Sequence, residues 1–243
     1  MSTGNYSYIG RGPVLLGLVG QAIRDIGNSS ELKIGIEEET IDLENYDNAA
    51  GGVADSATWI KKVKVSFTIH NISPANLAMA YLGSASSVAS GNVVGESHKA
   101  WKDSFVPLNH INPASVVVNV GGSPKTLNTD YVVNSMGLYI PADSSIADGA
   151  DITVDYAHGA EEVVEALTET VKDYTMIFQG MNTSKAGRAR IVHLHKVKLS
   201  PASESALKSK EFAGMALTGV LLPDTGQPVG KSQYFKEIIE TAA

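Results

Sequence analysis

The segment of the chain that most resembles an enzyme motif runs from Thr225 to Ser232 and reads TGQPVGKS. Loops that wrap nucleotide phosphates read GxxxxGK followed by Ser or Thr, because glycine lets the backbone amides approach the phosphates. The segment follows an apolar run and precedes a weak predicted helix over residues 233–241, which suits such a loop. Thr225, however, stands where the motif needs glycine, and the preceding chain does not alternate strands with helices. We therefore predict a turn here and no nucleotide cofactor.

Two groups of residues could bind metal ions. His193 and His195 are two residues apart on a predicted strand, so their side chains share one side of it and could share an ion. No acidic residue or third histidine follows nearby to complete the set, so a polar sheet surface is the favoured interpretation. Three aspartates could suggest a calcium loop, but their spacing does not match a helix–loop–helix site. They are Asp143, Asp148 and Asp151. We predict no metal site.

The run Glu37-Glu38-Glu39 could supply paired carboxylates for acid–base catalysis. Adjacent strand residues point to opposite sides, so only Glu37 and Glu39 would lie together. The chain has no GxSxG nucleophile motif to accompany them. An acidic, solvated sheet surface is the favoured interpretation. We predict no catalytic residue and a protein that is not an enzyme.

Composition narrows the functional class further. The 243 residues include 26 acidic and 19 basic side chains, a net charge of −7, and no cysteine. Proteins that grip nucleic acid normally carry a basic surface, so contact with DNA would be passage and not binding. Disulfides and thiolate metal sites are impossible. We see no secretory signal and no stretch of about 20 apolar residues, so we predict synthesis in the cytoplasm and no membrane span.

The elements that carry these residues are mostly strands. Short runs rich in Val, Ile, Thr and Tyr alternate with Gly, Asn, Asp and Pro, which is typical of antiparallel β proteins. The clearest strand spans residues 59–69 and has apolar residues at alternate positions. The preceding strand, residues 31–43, has Ile34 and Ile36 on one side but Ile41 and Leu43 on the other. This change of phase, across Glu37-Glu38-Glu39-Thr40, predicts either a β-bulge or a strand that passes from one packing partner to another.

Three further segments complete the organisation. Residues 44–58 form a long, polar, glycine-rich loop between the two strands. A helix over residues 74–82 is capped by Ser73 and begins with Pro74. Weaker helices are predicted over residues 161–166 and 233–241. Residues 112–157 form a small inserted β subdomain, so that residues 1–111 and 158–243 make the main domain. The predicted fold is an antiparallel β-sandwich or partial barrel with one flanking helix.

Three stretches of sequence together resemble the tail tube (major tail) proteins of long-tailed bacteriophages. They read YIGRGPVLLG, NSSELKIGIEEETIDLENYDNAAGG and YTMIFQGMNTSKAGRARIVHLHKVKLSPASE…EFAGMALTGVLLPD. The likeness covers roughly residues 8–47 and 173–224. The resemblance rests on their order and not on one diagnostic residue.

The resemblance implies a subunit of the virion tail that assembles with itself into stacked, usually hexameric rings, forming a conduit for DNA ejection. Its other partners would be tail terminator, tape-measure and baseplate or tip proteins. A hairpin of residues 31–43 and 59–69 would line the lumen, and the 44–58 loop would reach the adjacent ring. Candidate lumen residues are Glu37, Glu38, Glu39, Asp42 and Glu44. Candidate inter-ring residues are Tyr46, Asp47, Asn48, Gly51, Gly52, Val53 and Trp59.

Two alternatives stay open. One is another virion component of related fold, such as a neck, tail-completion or decoration protein, which would close into a single ring. The other is a carbohydrate-binding β domain, which would need exposed aromatic platforms although the chain has only two tryptophans.

Overall fold

The structure, a computed structural model, describes residues 7–47, 49–184, 187–208, 210 and 212–241. The protein is mainly β, with antiparallel sheets and, in these ranges, one short helix, as the sequence predicts. The first elements are β1 (Gly10–Arg11), β2 (Val14–Leu18), β3 (Arg24–Asp25), β4 (Ser29–Glu44), β5 (Val53–Ile69), α1 (Pro74–Ala80), β6 (Ser84–Val88) and β7 (Gly91–Ala100). The next are β8 (Ser104–Pro107), β9 (Ala114–Val120), β10 (Ser123–Pro124), β11 (Val132–Asn134), β12 (Gly137–Ile140) and β13 (Ala150–His158). The last are β14 (Glu161–Glu165), β15 (Asp173–Asn182), β16 (Arg188–Leu199), β17 (Met215–Leu221) and β18 (Phe235–Ile239).

The chain divides into two compact units. Unit 1 comprises residues 1–84 and 164–243, and unit 2 comprises residues 85–163. Unit 2 contains the whole predicted insert, 112–157, and is longer than it at both ends. Strands β6 and β14 pair with each other, and the two boundaries between the units fall within them. In the described ranges, no helix is long and apolar enough to cross a bilayer.

Unit 1 is built on a nine-stranded sheet. Its strand order is β3-β2-β15-β16-β17-β5-β4, with β1 paired to β15 and β18 paired to β16. The predicted alternation along β5 is confirmed, because its apolar residues on one side are at most 4% exposed. These residues are Val63, Val65, Phe67 and Ile69. They pack with buried residues of β2, β16 and β17 in one apolar core.

The helix α1 begins where the sequence predicts and ends at Ala80, two residues early. Ser73 caps it by accepting a hydrogen bond from the backbone N–H of Asn76 at 3.3 Å. The buried Asn76 side chain donates to the carbonyl oxygens of Ile26 and Asn71, both at 2.8 Å. The first turn is thus fastened to the segments beside the sheet.

Unit 2 has its own core between a four-stranded sheet, β10-β9-β13-β7, and a three-stranded sheet, β11-β12-β8. Strand β13 contributes Ile152, Val154 and Tyr156 from one side, each at most 3% exposed. Period-two alternation therefore explains this strand too.

Three sequence predictions about elements are wrong. Nearly half of the predicted 44–58 loop is strand, because β5 begins at Val53 and its first residues pair with β4. The loop itself is residues 45–52. The weak helices predicted over 161–166 and 233–241 are instead the strands β14 and β18. Pairing with β16 fixes β18 as a strand, although its sequence is compatible with a helix.

Candidate functional site: the distal hairpin

The distal hairpin, residues 37–62, is the part of β4 and β5 that extends past the rest of the sheet. Strand β17 pairs with β5 only from Val63 to Ile69. Between Val63 and the tip of the hairpin, within the described residues, the two strands pair only with each other. The outer edge of β4 pairs with no described strand along its whole length. Unpaired backbone groups on such an edge can accept a strand from another chain.

The hairpin has a bulge at the predicted level, but its extra residue lies in β5 and not, as the phase of residues 31–43 predicts, in β4. Glu37 pairs with Lys62 and Glu38 pairs with Ile60, so Lys61 is the extra residue. Residues that pair directly across the strands point to the same side of the sheet. Before the bulge, one side carries the core residues such as Val63.

Past the bulge the same side is polar, and we call it the acidic side. It carries Glu38, Thr40 and Asp42, with Ile60, Thr58 and Ser56 opposite them. Thr40 and Thr58 share a hydrogen bond of 2.9 Å between their hydroxyls, and Ser56 donates to Asp42 at 2.7 Å. These contacts hold the register where no core is present.

The five predicted lumen carboxylates fall into two groups. The Glu37 carboxylate forms an ion pair with Lys64, and the Glu39 carboxylate forms one with Lys61 at 3.4 Å. The hydrogen bond from Lys64, reinforced by nearby lysine charges, lowers the pKa of Glu37. The other three, Glu38, Asp42 and Glu44, form no ion pair within the described residues. Of the five predicted lumen carboxylates, this second group is therefore the one without a positive partner in the part of the chain that the structure describes.

The opposite side of the distal hairpin is the apolar side. It carries Ile41, Leu43 and Trp59, which are 60%, 57% and 44% exposed. Large apolar side chains that cluster at a surface mark sites of protein interaction. The apolar residues thus change sides at the bulge, and the second set has no core to enter.

The loop 45–52 closes the hairpin. The N–H of Asn45 donates to the carbonyl of Gly52 at 2.7 Å, and Asp47 N–H donates to the Asn45 side chain at 3.0 Å. Gly51 and Gly52 have positive φ, which few other residues adopt at low cost. Tyr46 projects from this loop and is 81% exposed.

The other candidate inter-ring residues divide between strand and loop. Val53 and Trp59 belong to β5 and not to the loop. Asn48 lies outside the described residues.

The other sequence candidates stay apart from this hairpin. His193 and His195 have ring centroids 4.9 Å apart, and burial lowers the pKa of both. No third metal ligand joins them among the described residues. Asp151 is paired with Lys99 at 2.8 Å, as expected of a surface carboxylate.

The phosphate-loop-like segment is a turn. Asp224 accepts a hydrogen bond from the N–H of Gly226 at 3.1 Å, and the strand β18 follows instead of a helix. A phosphate-binding loop needs its amides free and a helix start behind them. The segment meets neither condition.

Sequence reasoning missed a group of three residues in unit 2. His110, His158 and Glu161 each present a ligand atom within 4.8 Å of the other two. The pair His158-x-x-Glu161 is visible in the sequence, but His110 is far away along the chain. Only the fold brings it to them.

A family model described as "Protein of unknown function UCP028589" matches residues 7–238. The match covers nearly the whole chain, and the protein belongs to this family. No significant match to a curated protein was found.

Proposed function

We propose that this member of the family is a structural subunit of a bacteriophage tail tube, which assembles with copies of itself into stacked rings that DNA crosses during ejection. The observation that supports the proposal is the apolar side of the distal hairpin, exposed beside an unpaired strand edge. The sequence resemblance to tail tube proteins supplies the identity of the assembly. Tail terminator, tape-measure and tip proteins would be its further partners.

The apolar side supplies a driving force for assembly. Fully burying a Leu, Ile or comparable side chain is worth about 1.5–3 kcal/mol. Ile41, Leu43 and Trp59 leave much of this free energy unused in a single chain. A contact that joins two different surfaces of identical subunits closes into a ring or continues as a filament. The edge of β4 adds backbone hydrogen bonds to such a contact.

The acidic side suits the lumen of a tube. Glu38, Asp42 and Glu44 lack positive partners among the described residues, so this side retains negative charge at neutral pH. Negative charge repels DNA phosphates and keeps the duplex from sticking to the wall. Assembly through the apolar side would leave the acidic side facing away from the contact.

The test is the double substitution Ile41→Ser and Leu43→Ser, examined by negative-stain electron microscopy and sedimentation velocity. We expect tubes from the wild-type protein, and folded subunits without tubes from the variant. The matched control is Val94→Ser with Leu127→Ser, which removes exposed apolar residues from unit 2. We expect this control to form tubes.

Other outcomes contradict the proposal. Wild-type protein that stays monomeric at high concentration rules out self-assembly. Single closed rings without tubes point to a neck or completion protein. Normal tubes from the Ile41 and Leu43 variant would remove the hairpin from the mechanism.

A further inference from the structure

The residues His110, His158 and Glu161 have the chemistry of a metal site. Two imidazoles and one carboxylate are a common protein ligand set for Zn²⁺ and similar divalent transition metals. One ligand atom from each lies within 4.8 Å of the other two. The side chain of Glu161 is only 8% exposed, whereas that of His110 is 23% exposed, which leaves a path from solvent.

Hydrogen bonds fix two of the three ligands. Glu161 accepts from the backbone N–H of Ile111 at 3.2 Å, and its other oxygen lies 2.5 Å from Nδ1 of His110. One residue earlier, the N–H of Asn109 donates to the buried Glu96 at 3.0 Å. The backbone on both sides of His110 is therefore held by a carboxylate. Such supporting contacts orient metal ligands and raise affinity.

The third ligand, His158, must move to bind an ion. The rings of His110 and His158 are stacked, with centroids 3.8 Å apart and planes within 6° of parallel. A ring nitrogen holds its lone pair in the ring plane, so one ion cannot lie in two parallel planes. One ring has to turn. In a tetrahedral zinc site the ligand atoms are roughly 3–3.5 Å apart. The rotation of the ring must therefore also bring the three ligand atoms closer together.

The surroundings of His158 permit this turn. It is the last residue of β13, and among the described residues its Nδ1 hydrogen-bonds only to the carbonyl oxygen of the next residue, Gly159, at 2.9 Å. Gly91 pairs with it across the sheet, and a Cβ there would lie 3.2 Å from Nε2 of His158. The glycine keeps that side of the ring open. His158 is thus the movable ligand, and His110 with Glu161 is the fixed pair.

We propose that His110, His158 and Glu161 bind a divalent transition-metal ion such as Zn²⁺, which fastens the loop at 109–111 to the ends of β13 and β14. Binding displaces the proton between His110 and Glu161, as expected when a metal replaces a hydrogen bond between its ligands. The ion would act as a structural link in unit 2. The proposal does not depend on tube assembly.

The experiment is isothermal titration of the full-length protein, free of any histidine tag and pretreated with chelator, with Zn²⁺. We expect about one ion per chain. The variants His158→Gln and Glu161→Gln should each weaken binding by at least about tenfold, since even losing a supporting contact costs 10–100-fold. The control His193→Gln removes a histidine from the other histidine pair and should bind like the wild type.

Thermal unfolding with and without Zn²⁺ provides a second measurement. A ligand that binds only the folded state raises the unfolding temperature. The wild type and the His193 variant should show this rise, and the two ligand variants should not. Three results would overturn the site. They are no stoichiometric binding by the wild type, binding by both ligand variants as tight as that of the wild type, or loss of binding in the His193 variant. Circular dichroism of the metal-free variants checks that they fold.

Discussion

The base and the tip of the β4–β5 hairpin are made from the same two strands but differ in the burial of their apolar side chains and in the pairing of their edges. At the base, Phe67 is 2% exposed, and β17 covers the free edge of β5. At the tip, Trp59 is 44% exposed, and in the described part of the chain the two strands pair only with each other. A two-stranded ribbon alone is marginally stable in water. The apolar residues of the tip enter no core formed by the described residues of one chain, and assembly is the explanation that we propose.

The largest expected effect separates base from tip directly. Phe67→Ala should lower the free energy of unfolding by about 3–5 kcal/mol, because it opens a cavity in the core. Trp59→Ala should change it by no more than about 0.5 kcal/mol, as for other surface substitutions. Urea denaturation of dilute protein, followed by circular dichroism, measures both. A large loss in the Trp59 variant would mean that the tip is packed within its own chain.

Unit 2 supplies an intermediate case, because polar contacts help to hold it. Glu96 accepts hydrogen bonds from Tyr156 at 2.5 Å and from His98 at 2.7 Å. Burial raises the pKa of Glu96, but these bonds and the Asn109 N–H outweigh it and hold the pKa below its usual value. Glu96→Gln should lower the free energy of unfolding by about 1–3 kcal/mol at neutral pH.

The pH dependence of this effect follows from the direction of the shift. A carboxylate with a lowered pKa stabilises the folded state above its ordinary pKa of 4.5, and this contribution is lost as the pH falls through the folded value. The difference between wild type and variant should therefore shrink below about pH 4.5. Fluorescence of Trp101 in a Trp59→Phe background follows unit 2 alone. A constant difference down to low pH would contradict this account.

A small effect on stability is also expected for the loop 45–52. Replacing it with an Asn-Gly turn should change the free energy of unfolding by about 1 kcal/mol or less, since loop-closure entropy varies slowly with length. If the loop contacts the adjacent ring, the variant should form folded subunits, and even single rings, but no tubes. Electron microscopy beside circular dichroism separates the two effects. Long, normal tubes would exclude the loop from stacking.

The base of the hairpin and the level of the bulge can be predicted from the sequence because buried apolar residues alternate there with exposed ones. Val63, Val65 and Phe67 must share a side to reach the core, and the change of phase after Ile36 marks the bulge. The start of β5 could not be predicted, because VADSAT has few residues that favour strands. Cross-strand contacts such as Ser56 to Asp42 hold it instead.

The candidate sites show the same limit. The run of glutamates is obvious in the sequence, but which of them have a positive partner depends on the positions of Lys61 and Lys64 across the strands. The cluster in unit 2 depends on a contact between His110 and a pair that lies more than 45 residues later in the numbering. No local pattern contains that information.

The pairing of β6 with β14 has a consequence for engineering. The chain enters unit 2 through β6 and leaves it through β14, and these two strands are neighbours. Paired strands lie about 4.8 Å apart, so the two attachment points are adjacent. Any compact domain whose ends are equally close can be spliced there without stretching either strand. A tube of the proposed kind would carry such foreign domains at regular intervals, as a scaffold for display.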